Sequence, residues 1–310
     1  MDIFGYEYGK ALNISPSVIA LGFFDGVHIA HRDLILSASQ IAHEKGMPLG
    51  IFTFDGDIKS GVPKIYSQAE KLKIFEQLGA DFVVLADFES IKDLTPEEFT
   101  KQVLFDGLCA RTVVAGFNFR FGKGAVGDAE ALVALMKSIG GEAVIRREIT
   151  SDDGKTVSST RIRELISNKD IKTANSLLGA PYLIRGRVSS GNRKGRELGF
   201  PTVNTSLEPN RTAPLGVFRS AVPIDGKIYH AVTNIGSCPT LGEREIHAET
   251  HIINYTGDLY ERELEIYLLG FLREEIHFNS VDELCRRVEE DKKRTVNENG
   301  ELSWQRLGLK

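Results

Sequence analysis

What this sequence lacks narrows it first. Its 310 residues include three cysteines, Cys109, Cys238 and Cys285, far apart and without a Cys-x-x-Cys pair. That spacing excludes a disulfide framework and a cysteine metal site, and leaves plain thiols in a reducing compartment. No apolar run approaches the ~18 residues of a membrane span, so no membrane partner is expected. The opening MDIFGYEYGK lacks the basic-then-apolar order of a secretion signal, which makes a cytoplasmic protein the expectation. There is no surplus of positive charge either. The formal net charge is −5, which argues against nucleic acid or an anionic membrane as partner and still allows a local basic cluster for a nucleotide. Internal repeats and low-complexity segments are missing, so neither a solenoid nor a tail is expected.

What is present has the composition of a soluble globular chain, with 42% hydrophobic and 26% charged residues. The length favours two domains over one. In the first half, apolar runs at 18–22, 49–54, 82–86, 112–116 and 142–148 read as short buried strands. Helical periodicity lies between them: Leu34, Ile35, Ala38, Ile41 and Ala42 share one face before Gly46, and Leu72, Phe75 and Leu78 share another before Gly79. Thr95-Pro-Glu-Glu98 has the order of a capping box with proline at the first helical position. Strand–helix alternation predicts a doubly wound α/β domain with a parallel sheet, whose ligands bind beyond the carboxyl ends of the strands. After about residue 180 the helical period disappears. Strand-like segments follow at 183–190, 216–223, 227–235, 247–255 and 264–269, with Asp225-Gly226 as a tight hairpin, and a helix opens at Ser280. A small antiparallel β-barrel closed by a C-terminal helix is predicted. The expected division is a domain over 1–168, a linker over 169–182 and a barrel domain over 183–310.

Three stretches carry chemistry. The first is GFFDGVHIAH, 22–31, where the first predicted strand hands over to the first helix. Gly22 and Gly26 let backbone approach a ligand around Phe24 and Asp25, and a helix N-terminus favours an anion. His28 and His31 are one helical turn apart and suit a polyphosphate; a zinc pair, or a cap beside a surface histidine, stays open. The second is TVSSTRIREL, 156–165, where hydroxyls precede a helix whose first turns hold Arg161 and Arg163. Arginine at the positive end of a helix dipole favours a bound anion, with plain N-capping and solvated arginines as the alternative. The third is GRVSSGNRKGRELGFPTVN, 186–204. Its glycine-rich part, Gly191 to Gly199, can wrap phosphates with backbone amides. Thr202 and Asn204 are hard oxygen donors suited to Mg²⁺. By composition alone this stretch also fits a flexible basic hairpin tip.

Taken together, His-x-x-His after the first strand and Ser-Ser-Thr-x-x-Arg after the last resemble the nucleotidyltransferase α/β superfamily. The loop GFNFRFGKGAVGD, 116–128, narrows this to the prokaryotic FAD synthetases, and Gly-Phe-Pro-Thr-x-Asn at 199–204 is similar to the riboflavin kinases. HAETHIINYTGDLYERELEI, 247–266, resembles the latter family as well. The whole chain thus resembles the bifunctional riboflavin kinase/FMN adenylyltransferases. The resemblance implies a flavoprotein-type transferase that phosphorylates riboflavin with ATP to FMN, then adenylylates FMN with ATP to FAD and pyrophosphate. It implies Mg²⁺, with ATP and the flavins as substrates and products. Glu249 is placed as the kinase base. His28 and His31 become phosphate donors, with Asp55 and Asn118 at the nucleotide or flavin. Ser159, Thr160 and Arg163 are assigned to the leaving pyrophosphate, and Arg273, in FLREE, lies near the flavin.

The chain departs from the family at Ala30, where glycine is usual, and at Thr53-Phe-Asp-Gly56, where a proline usually follows Asp55. Asn254 and Glu261 are further departures, away from Glu249. Two alternatives therefore stand beside the bifunctional enzyme: a riboflavin kinase with a degenerate N-terminal domain, and a flavin-sensing protein without catalysis. The sequence leaves the oligomeric state open.

Overall fold

The computed structural model describes residues 1–56, 61–189, 199–208, 210–240, 243–303, 305 and 307, with backbone alone for 237–240 and 243–245. The chain forms two compact units: Met1–Gly61 with Lys71–Val157, and Val62–Glu70 with Ser158–Lys310. Among the described residues no helix is long and apolar enough to cross a membrane.

The first unit is built on six strands: β1 (Asp2–Tyr6), β2 (Ser17–Leu21), β3 (Leu49–Phe54), β4 (Phe82–Ala86), β5 (Ala110–Gly116) and β6 (Glu142–Arg146). All pair in parallel, in the order β1-β4-β3-β2-β5-β6. Parallel strands need crossovers. These are α1 (Ile29–Lys45), α2 (Gln68–Gln77), the short α3 (Phe88–Ile91) and α4 (Pro96–Glu98), a π-helical run over Phe99–Gly107, and α5 (Ala129–Ser138). Local chemistry sets their ends. Gly46 closes α1 in the left-handed conformation at φ 63°, and the Thr95–Glu98 capping box is complete, at 3.2 and 2.9 Å. Strands β2 and β3 are buried on both faces, which is why they read as unbroken apolar runs. Strand β1 was not expected. It lies at the sheet edge with only Tyr6 fully buried, so it shows no apolar run.

The second unit holds a closed six-stranded barrel: β7 (Tyr182–Ser189), β8 (Val203–Ser206), β9 (Gly216–Ile224), β10 (Lys227–Thr240), β11 (Glu243–Ile252) and β12 (Glu263–Arg273). Around the ring the order is β10-β11-β8-β7-β12-β9, antiparallel throughout. Asp225 and Gly226, at φ 47° and 80°, make the tight turn between β9 and β10 as expected. Helices α6 (Ser159–Ser167) and α7 (Ile171–Leu178) precede the barrel and α8 (Val281–Asn299) follows it. Ser280 caps α8 by accepting from the Glu283 amide at 3.2 Å. Asn175, on α7, is bonded to the Leu268 carbonyl and the Tyr182 amide, both at 2.8 Å, which ties this helix to the barrel.

Inside this unit the segment Val62–Glu70 docks through a buried ion pair. Arg211 and Glu70 are 7% and 0% exposed and bonded to each other. Arg211 also donates to the Tyr182 hydroxyl at 3.0 Å and to the Leu183 carbonyl, while Glu70 accepts from the amides of Arg185 at 2.7 Å and Ser67 at 2.9 Å. Burial alone would lower the Arg211 pKa; the charge of Glu70 and the contact with Tyr182 outweigh it and hold it above the ordinary value. The pair is thus satisfied on both sides, the condition under which a buried ion pair holds a unique arrangement. Breaking it by Arg211→Met is expected to destabilise the second unit by about 3–5 kcal/mol. Adding Glu70→Leu to that variant recovers much of the loss, as thermal unfolding of both variants will show.

Candidate active sites

In the first unit, β2 lies between β3 and β5, so consecutive crossovers leave it in opposite directions. The crevice beyond the carboxyl ends of β2 and β5 is where such sheets bind ligands. The stretch Gly22–His28 leaves β2 there in a tight turn. The Gly22 amide donates to the Phe52 carbonyl at 3.2 Å, and Thr53 Oγ1 donates to the Phe23 carbonyl at 3.1 Å. Phe24 (φ 52°), Gly26 (φ 85°) and Val27 (φ 36°) all have positive φ, a strained state for the two bulky residues. The Phe24 ring holds the turn. It is fully buried, edge-on to Phe75 and to His31, and a Cβ at residue 22 would stand 2.8 Å from it. Gly22 is therefore required by close approach.

His28 is the N-cap of α1, yet its side chain makes no capping bond. The His28 and His31 rings stack at 3.7 Å with 15° between planes, and Nδ1 of each is buried without a hydrogen-bond partner. Burial pushes His28 down to about pH 4. It also holds His31 well below the usual range, helped by the charges of His28 and Lys71. Both imidazoles are therefore neutral near pH 7. The amides at the start of α1 have no side-chain cap, and a helix N-terminus of this kind favours an anion. Ala30 is the second residue of α1 with no positive φ, so its methyl sits in ordinary helix geometry. Asp25 is buried in the same turn, and Lys71 is buried with Nζ 5.7 Å from the Phe23 ring centre.

The loop after β5 faces the same sheet edge. Asn118 is exposed in a turn closed by the Phe119 amide on the Gly116 carbonyl at 3.0 Å. Phe119 stacks on Phe121, Phe121 leans on Phe99, and Phe117 stays 47% exposed, which gives the loop an aromatic wall. Asp55 is exposed just past β3, its amide bonded to the Ala86 carbonyl at 3.0 Å. Residues Ser159, Thr160 and Arg163 lie on the first turns of α6, in the second unit. The cap there is Ser158, which accepts from the Arg161 amide at 3.4 Å, and Arg163 Nε donates to the Pro63 carbonyl at 2.7 Å.

The barrel forms the other site. Its register places Glu249 directly between Asn204 on β8 and Asn234 on β10. Glu249 is exposed to an open pocket of about 930 Å³ that it lines with Thr202, Asn234, His251, Arg273 and Glu275. Val217 and Val232 line it too and belong to an apolar cluster with Ile253 and Leu272. A second pocket of about 680 Å³ is lined by Val188, Pro201, Val203, Thr250, Tyr255 and Asp258, among others, and Thr202 borders both. Arg273 is held by Asp291 of α8 at 2.9 and 2.8 Å and lies 5.7 Å from the Phe278 ring centre. Asn234 donates to Glu275 at 3.0 Å. Gly199 has φ 84°, while Gly191 lies outside the described residues. The sequence reading missed Asn234, His251, Glu275 and Asp291. His251 alone carried a signal, standing two residues from Glu249 and so on the same face of the strand.

Comparison with known proteins finds two family models along the chain. A family model described as FAD synthetase matches residues 11–161, and one described as riboflavin kinase matches residues 178–298. A bifunctional riboflavin kinase/FMN adenylyltransferase of Bacillus subtilis is 34% identical, over 91% of this chain and 92% of that one. The protein of the same name from Listeria monocytogenes is 33% identical, over 90% and 91%. A crystal structure from Streptococcus pneumoniae, described as a macrolide-efflux protein, is 30% identical and superposes with a TM-score of 0.83 over 96% of this chain and 99% of that one. The chain belongs to the bifunctional riboflavin kinase/FMN adenylyltransferase family.

Proposed function

We propose that the two units run consecutive transfers on one flavin, with the kinase in the second unit and the adenylyltransferase centred on the first. The register of Glu249 between Asn204 and Asn234, on a pocket that shares Thr202 with its neighbour, carries the kinase assignment. Riboflavin occupies the larger pocket over the apolar cluster, with Arg273 at its rim. ATP occupies the other. Glu249 accepts the proton of the ribityl 5′-hydroxyl as that oxygen bonds to the γ-phosphorus and the bond to the β–γ bridging oxygen breaks, leaving FMN and ADP. Among the described residues no cluster of three or more His, Cys, Asp or Glu could hold a metal. The donor set suits Mg²⁺ all the same, because this ion keeps waters and relies on nucleotide oxygens. Thr202 and Asn204 would hold it, and it would shield phosphate charge during transfer.

In the adenylyltransferase the FMN phosphate attacks the α-phosphorus of a second ATP and pyrophosphate leaves. No covalent enzyme intermediate is needed, so the protein contributes position and charge. His28 and His31 act as neutral hydrogen-bond donors, aided by the amides at the start of α1. Asp25, Asp55 and Asn118 order the substrates. The stacked pair and the unstrained Ala30 support an active site over a degenerate one. The chemistry is placed in the cytoplasm, where ATP is available and thiols such as Cys109 and Cys285 stay free.

Incubation with riboflavin, ATP and Mg²⁺, followed by chromatography, is expected to yield FMN and FAD. Glu249→Gln should lower FMN formation by about 10²- to 10⁴-fold while sparing conversion of added FMN to FAD. His28→Ala and His31→Ala should show the reverse pattern; equal loss of both activities in either set would contradict the division of labour.

The histidines also give a pH dependence. Unfolded histidine takes up a proton near pH 6.5, whereas folded His28 does so only near 4. Its contribution is therefore fully present above pH 6.5 and falls by up to about 3 kcal/mol as pH drops towards 4. Urea titrations across this range should show a smaller decline in His28→Asn than in the parent.

A further inference from the structure

The paired ladder between β8 and β11 ends at Val203 and Thr250. One more step of the same register sets Thr202 across from His251, on the face that carries Glu249. Backbone pairing offers little hold here, because Pro201 has no amide donor to give a ladder. The Pro201 carbonyl is instead bonded to Nδ1 of His251 at 2.9 Å. A carbonyl has no proton, so Nδ1 is the donor and Nε2 of the neutral ring is left as an acceptor. His251 is 9% exposed. It lines the pocket of Glu249, and the charged groups acting on it from α8 are Lys292 and Glu289, which are bonded to each other. Burial lowers its pKa, with Lys292 adding to that and Glu289 opposing it. The Nδ1–H bond survives in either charge state, so its purpose is mechanical.

Resting on the kinase reading above, we infer that His251 is a positioning residue: it holds the Pro201–Thr202 peptide against the strand that carries Glu249. The base sits on one strand and the Thr202 hydroxyl on the segment entering the next. Their separation governs whether the riboflavin hydroxyl meets the γ-phosphorus in line. The imidazole fixes that separation where the ladder stops.

The test is steady-state kinetics of the full chain, with FMN formation as the reporter and FAD formation from added FMN as the internal control. His251→Phe keeps the ring bulk and removes the donor. It should lower kcat for FMN formation by about 10- to 100-fold and raise the KM for MgATP, since displacement of an aligned group by an ångström has effects of this size. His251→Asn, whose amide N–H reaches the position of Nδ1, should return kcat to within about threefold of the parent. Both variants should make FAD from FMN at the parent rate. A His251→Phe variant within about twofold of the parent, or a His251→Asn variant as slow as His251→Phe, overturns the inference. Should His251→Phe fail to fold, long-range ¹H–¹⁵N spectra of the parent decide: the Nδ1–H tautomer is expected, and the Nε2–H tautomer overturns it. A parent chain that makes no FMN overturns the kinase reading and this role with it, whereas an active parent indifferent to His251 overturns this role alone.

Discussion

Closure of the barrel is the constraint from which the kinase site follows. A closed antiparallel ring has no free edge, so no strand can slip without breaking the ladder on both sides. Strand β8 has only four residues, yet it is pinned between β7 and β11. That pinning sets Asn204 opposite Glu249, and β10 sets Asn234 on the other flank. A one-residue slip would turn Glu249 to the opposite face. The apolar cluster and the Arg273–Asp291 pair border the same pocket, where the proposed reading seats the flavin ring.

The first unit solves a different problem. A polyphosphate site needs donors and positive potential, but standing charges in a buried crevice are costly. The stacked histidines are kept neutral by burial, so the phosphate site proposed for them would offer donors without carrying their charge. Aligned amides at the start of α1 supply partial positive charge that cannot be titrated away. The strained turn at Phe24 and Val27 is held by the buried Phe24 ring, which fixes the chain just before the two histidines.

Features set by local chemistry were legible in the sequence. The Thr95 capping box, the Gly46 terminus and the Asp225-Gly226 hairpin each depend on a few neighbouring residues, and each appears as read; Ser280-Val-Asp-Glu283 reads as a second capping box, of which only the Ser280 half forms, Glu283 accepting from the Asn279 amide instead. Strands β1 and β8 were not legible: one is a half-exposed edge, the other four residues set by their neighbours across the sheet. The same distinction runs through the sites. His28 and His31 stack because helix geometry brings them one turn apart. Asn234 reaches Glu249 only through strand pairing, and Asp291 reaches Arg273 from a helix 18 residues further on. Charge state was illegible for a similar reason, since the neutrality of the histidines comes from burial in the folded unit.

The division of the chain is less modular than two consecutive family matches suggest. The segment Val62–Glu70 is encoded within the first half and packs as part of the second unit, where Glu70 supplies a counter-charge to the buried guanidinium of Arg211. A kinase fragment begun after residue 157 would carry that guanidinium without its carboxylate, and Tyr182 without the Tyr66 ring stacked on it. A barrel cut from this chain therefore needs the nine residues Val62–Glu70 carried along with it, or a replacement for the Glu70 carboxylate.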